Sequence, residues 1–182
     1  MKKGTGILLI ASALVLILII IIVKSYSSLS SLKEDAINKE ANIDVQLNRK
    51  KEQVSKLVVL SKSYIEDSPL FSEIDDILSK KDNDILEKSK TNDDLSSKLN
   101  ELLELLREKG LYSNEELSKI INEILSCEKR IETAKNNYNE IVEKYNNKVK
   151  GFPSGIIAKI MGYDTRDTFE NKVIVVSYSD SE

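Results

Sequence analysis

Residues 113–150 read SNEELSKIINEILSCEKRIETAKNNYNEIVEKYNNKVK, an unbroken run without glycine or proline. Two series of positions seven residues apart carry its pattern. One is Leu117, Ile124, Ile131, Tyr138 and Tyr145; the other is Ile120, Cys127, Ala134, Ile141 and Lys148. Apolar residues at that spacing share one side of an α-helix, and such a stripe is buried only against other helices. Ser113-Asn114-Glu115-Glu116 has the capping-box pattern, with Ser113 as cap and Glu116 reaching back. Gly151 and Pro153 end the run. One long helix ending near Lys150 is predicted, and with it an all-α fold.

Working outward, Leu32–Ile65 also lacks glycine and proline and repeats apolar residues at helical spacing: Leu32, Ala36, Ile43, Leu47, Val54, Leu57 and Tyr64. Asp67-Ser68-Pro69 breaks it. A further pattern runs through Phe71, Ile74, Leu78 and Ile85, then Leu95, Leu99, Leu102 and Leu106, with a stop at Gly110. Its middle, Lys80–Asp94, is almost wholly polar, and Lys81, Lys88 and Asn92 occupy heptad positions there. A solvated elbow near Lys90–Asp94, dividing this region into two shorter helices, is therefore expected. The sum is an antiparallel bundle of three to four long helices over residues 26–170. Ser25–Ser31 (SYSSLSS) reads as a polar hinge before it, and residues 171–182 as a flexible tail. Gly155–Met161 is short and apolar and is expected to fold back as a cap, with docking on lipid or a partner as the alternative.

Between Lys3 and Lys24 lies an uncharged stretch, Gly4–Val23, dominated by isoleucine, leucine and valine. At about 1.5 Å per residue it spans roughly the 30 Å hydrocarbon core of a bilayer. The small residues Ala11-Ser12-Ala13 sit inside this run rather than after it, so an uncleaved anchor over residues 1–25 is expected rather than a removed signal peptide. The basic flanks, Lys2 and Lys3 against Lys24, Lys33 and Lys39, are too alike to fix orientation. The short basic start leans toward a body on the extracytoplasmic side.

Composition narrows the chemistry. Histidine is absent, which removes the commonest general base and metal ligand. The first acid is Glu34; setting aside Lys2, Lys3 and Lys24, 24 basic residues face 30 acidic ones, a body charge near −6. A mildly acidic body argues against nucleic acid as a partner. Cys127 is the only cysteine and falls on an inward heptad position, so it reads as a small core residue. Asp75-Asp76, Asp82, Asp84 and Asp93-Asp94 lack the tight spacing of a metal loop. No cofactor and no enzymatic activity are expected.

Two sets of residues stand out. Tyr138-Asn139 recurs as Tyr145-Asn146, and Phe152-Pro153-Ser154 follows. The tyrosines fall on the buried side, so each ring should pack in the core with its hydroxyl on one partner. The sharper reading is a slot for a ligand or partner peptide lined by Tyr138, Asn139, Tyr145 and Asn146, with Phe152 and Pro153 beside it. Separately, Lys50 takes a seam position where a hydrophobe would be expected. A charge there needs a counter-charge, and Glu128, next to Cys127, is the candidate.

Two blocks resemble the LemA family, single-pass membrane-anchored helical proteins of bacteria. In Ala41–Val58 the residues Asn42-Ile43, Val45, Leu47, Arg49-Lys50 and Leu57-Val58 match the family's first-helix motif, while Ser55-Lys56 stand where a Pro-Asn is usual. In Ile131–Glu170 the likeness is carried by Tyr138-Asn139, Tyr145-Asn146, Phe152-Pro153-Ser154, Ile157-Ala158, Gly162 and Phe169-Glu170. The resemblance implies a non-enzymatic interaction or scaffold module at the bacterial cell membrane, anchored in lipid by residues 4–23 and meeting a protein partner. A ligand-sensing or signalling membrane protein is the alternative.

Overall fold

The computed structural model describes residues 3–66 and 68–170. Those residues form five helices: α1 (Lys3–Lys62), α2 (Pro69–Ser79), α3 (Ile85–Glu108), α4 (Glu115–Lys150) and α5 (Ser154–Met161). No strand occurs among them. The tail assigned to residues 171–182, and Asp67 of the Asp-Ser-Pro break, lie outside the described residues.

Helix α1 is continuous through Ser25–Ser31, where the sequence suggested a hinge. Serine costs a helix only a few tenths of a kcal/mol, and no glycine or proline interrupts the stretch. Leu29, in its middle, is fully buried. Packing therefore outweighs the weak local preference.

The chain divides into two compact units. Among the described residues the first takes 3–38 and 139–166, the second 39–66, 68–138 and 167–170. In the first, Leu29 of α1, Tyr145 of α4 and Ile157 and Ala158 of α5 form a small core, with Leu32, Val149 and Tyr163 against it. The turn between α4 and α5 is closed by Ser154, whose Oγ donates to the Lys148 carbonyl (2.7 Å) and approaches that of Gly151 (3.3 Å). It thereby satisfies carbonyls that the end of α4 leaves without helical partners. Gly162, at φ 65°, ends α5 in the left-handed conformation, and Tyr163 N–H reaches back to the Ala158 carbonyl at 2.8 Å. From Leu8 to Val23 the large apolar side chains of α1 are 40–71% exposed. No other described part of the protein covers them.

In the second unit α1, α2, α3 and α4 share one core. Val54, Leu57 and Val58 meet Phe71 and Ile74, Leu99, Leu102 and Leu106, and Leu117, Ile121 and Ile124. The expected elbow at Lys90–Asp94 does not exist. The break lies at Lys80–Asp84, and α3 runs through Lys90–Asp94 without interruption. Asp84 sets that boundary: its Oδ1 accepts from the N–H groups of Leu86 (2.9 Å) and Glu87 (2.8 Å). Lys51 of α1 holds the connecting loop, its Nζ lying 3.3 Å from Asp82 Oδ2. The cap of α4 is one residue later than the capping-box pattern suggested. Asn114, not Ser113, presents Oδ1 to the N–H groups of Glu116 (3.0 Å) and Leu117 (3.1 Å).

Removing the Asp84 cap strands two N–H donors at the start of α3. Asp84→Ala should cost about 1 kcal/mol by chemical denaturation. Asp84→Asn or Asp84→Ser should recover most of that loss.

Candidate functional site

Lys50 is fully buried. Its ammonium has three N–H donors and no lone pair, so an interior position requires three acceptors. The structure supplies them from two other helices: Asn92 Oδ1 at 2.8 Å and Ser96 Oγ at 2.6 Å from α3, and Glu128 Oε1 at 2.6 Å from α4. Ser96 Oγ also lies 2.9 Å from the Asn92 carbonyl and 3.1 Å from Glu128 Oε1, so its proton has an acceptor as well. Burial pulls the Lys50 ammonium below the ordinary lysine range; the charge and hydrogen bond of Glu128 oppose that shift.

This network explains the polar stretch of α3. Ser89, Asn92 and Ser96 continue the line of Ile85, Leu99 and Leu103 at alternating steps of three and four residues, and all are buried. They are seam positions holding polar side chains because Asn92 and Ser96 meet Lys50 and Ser89 donates to the Glu170 carbonyl. Asn92 and Ser96 were the partners missed in the sequence; their heptad phase was the available signal. Nearby, Lys135 is also mostly buried, and burial lowers its pKa too. Its Nζ stands 4.9 Å from the centre of the Phe169 ring.

The Tyr-Asn pairs grip the chain's own C-terminal segment. In the first unit the Asn146 amide pairs with both backbone groups of Arg166. Its Nδ2 donates to the carbonyl (2.8 Å), and its Oδ1 accepts from the N–H (2.9 Å). Tyr145 packs its ring in the small core there, and burial raises the pKa of its hydroxyl. Tyr163 lies under Lys33, whose Nζ is 4.4 Å from the ring centre, and its hydroxyl is 3.4 Å from Ser30 Oγ. In the second unit Tyr138 donates to the Asp167 carbonyl (2.9 Å), Ser89 donates to that of Glu170 (2.9 Å), and Phe169 is buried.

The six residues put forward as an interaction surface thus separate. Tyr138 and Tyr145 are core. Asn146 is committed to Arg166, Asn139 and Pro153 are half-buried, and Phe152 stands 88% exposed. Lys50 and Glu128 do meet, in a network larger than a pair. Cys127 is buried, and burial raises the pKa of its thiol, the opposite of what a nucleophile needs. Among the described residues no group of three or more His, Cys, Asp or Glu side chains could hold a metal ion.

These features define an all-helical protein with a bundle tied by a buried lysine. One N-terminal helix is long and apolar enough to cross a membrane. The chain belongs to the LemA family, whose model matches residues 39–174. No curated protein matches it.

Two predictions test this geometry. Glu128→Ala leaves a buried ammonium without its counter-charge and should destabilise the bundle by about 3–5 kcal/mol. Adding Lys50→Met to that variant removes the stranded charge and should recover a large part of the loss in a double-mutant cycle. Asn146→Ala removes both hydrogen bonds to Arg166 and should cost about 1–3 kcal/mol, with faster proteolysis in residues 163–170. Asn146→Asp keeps an acceptor for the Arg166 N–H but loses the donor, so its loss should be smaller.

Proposed function

We propose that this is a single-pass membrane protein of the bacterial cell envelope whose helical body works without catalysis, as a scaffold for a protein partner. The observation that carries the reading is the uncovered apolar stretch of α1. Its large side chains from Leu8 to Val23 have no protein cover, and the same helix continues without a break into the bundle core at Val54 and Leu57. Exposed leucine and isoleucine over that length are costly in water and favourable in hydrocarbon. The chemistry-bearing side chains that converge, around Lys50, saturate one another, which favours structure over turnover.

The continuity of α1 favours a second reading, in which the body senses a ligand and signals through the anchor. A helix with no flexible joint can carry a displacement that a hinge would absorb.

The reading is tested in living cells. The full chain should remain with membranes through alkaline carbonate washing, and a chain starting at Tyr26 should be released. Proximity labelling from a C-terminal tag, with labels confined to one side of the membrane, should mark one recurrent protein set for the anchored chain and lose it for the released one. A full chain that washes off membranes would overturn the proposal.

A further inference from the structure

Helix α5 has two faces. Ile157 and Ala158 pack inward against Leu29 and Tyr145. On the opposite side Ile156 is 56% and Ile160 76% exposed; Met161 at the helix end is 46% exposed, and Phe152, in the turn before the helix, 88%. Ile156 and Ile160 are four residues apart on α5 and lie along one face, and Phe152 stands in the turn just before the helix. Nothing in the packing of the first unit requires them to be apolar.

The position of this face says what covers it. Helices α1 and α4 run antiparallel where Lys50 meets Glu128 and where Val54 and Leu57, further along α1, share a core with Leu117 and Ile121, earlier in α4; Leu29 shares a core with Tyr145. Each helix advances about 1.5 Å per residue, so Lys150, five residues past Tyr145, falls roughly level with Lys24, five before Leu29. Lys24 is the residue that closes the apolar run Gly4–Val23. Phe152 and α5 therefore sit beside the end of that run, at the depth of the headgroup layer if α1 spans a bilayer.

The charge pattern agrees. No acid occurs before Glu34, and none occurs between Glu143 and Asp164. That second interval carries Lys144, Lys148, Lys150 and Lys159, all exposed, on a chain whose net charge is −3. A short apolar face in an interval that carries four exposed lysines and no acid, in a protein otherwise acidic, suits an anionic lipid surface.

We infer that α5 docks its Ile156–Ile160 face, together with Phe152 of the preceding turn, into the interfacial layer of the bilayer that α1 crosses, with Lys148, Lys150 and Lys159 on anionic headgroups. The inference rests on the reading of α1 as a membrane span and goes beyond it. The body then has two attachments to the lipid, one through the hydrocarbon and one along its edge.

The experiment uses the full chain in vesicles of phosphatidylcholine and phosphatidylglycerol. One sample carries an environment-sensitive probe on Ile160→Cys, another on Leu14→Cys; Cys127 is buried and takes no label. Quenching is read with nitroxide lipids labelled near the headgroup or deep in the acyl chain, and with aqueous iodide. The expected result is that the probe at position 160 loses most of its emission to the shallow nitroxide and is shielded from iodide. That loss should diminish without phosphatidylglycerol, and also in Phe152→Ser, which alters an exposed residue and leaves the core alone.

Deep quenching at position 14 with iodide quenching alone at position 160 would leave the span standing and overturn the docking. Shielding at position 160 from iodide and nitroxide alike would assign the face to protein, a second copy or a partner, and overturn it too. Absence of nitroxide quenching at both positions would remove the span and the docking together.

Discussion

A lysine ammonium taken wholly out of water must find an acceptor for each of its three protons, and Lys50 finds them on two neighbouring helices. That requirement organises the second unit. It fixes the facing register of α1, α3 and α4 at one level, because Asn92, Ser96 and Glu128 serve Lys50 only in one arrangement. It also makes α3 helical where its composition suggests a break. Below this level the seam returns to leucine and isoleucine, which supply most of the apolar burial but would tolerate sliding. A buried charge with three fixed partners does not tolerate it; specificity here comes from the polar layer and cohesion from the apolar one.

A related economy governs the C-terminal segment. An irregular stretch brings backbone groups that have no helical partners. In residues 163–170 side chains on the helices meet three carbonyls and one N–H: Asn146 at Arg166, Tyr138 at Asp167 and Ser89 at Glu170. The tyrosine rings remain in the core while the hydroxyl of Tyr138 and the amide of Asn146 face the returning chain. A Tyr-Asn pair at heptad spacing is thus half packing and half clamp. The Ser154 bond to the Lys148 carbonyl does the same work at the end of α4.

Much of this was legible in the sequence because it follows from periodicity. The Leu117–Tyr145 heptad series of α4 predicted its buried line, while in the second series Cys127 and Ala134 are buried, Ile120 and Ile141 half-buried and Lys148 exposed; Lys50 on a seam predicted a counter-charge at Glu128. What was hidden is tertiary. Asn92 and Ser96 look solvated in isolation, and their burial depends on a lysine more than forty positions earlier in the chain. The serines at 25–31 look like a joint, yet Leu29 among them is part of a core built from residues more than a hundred positions later. The segment after Gly162 carries little local pattern, so its seat could not be read from its own residues. Phe152 is 88% exposed and joins neither core.

The helices of the second unit are held in register by one buried charge. The direct measurement is NMR of the lysine Nζ groups, with Lys50 assigned by its loss in Lys50→Arg. A slowly exchanging ammonium resonance that titrates below the exposed lysines is the predicted result. A Lys50 signal that exchanges and titrates with those exposed lysines would contradict it.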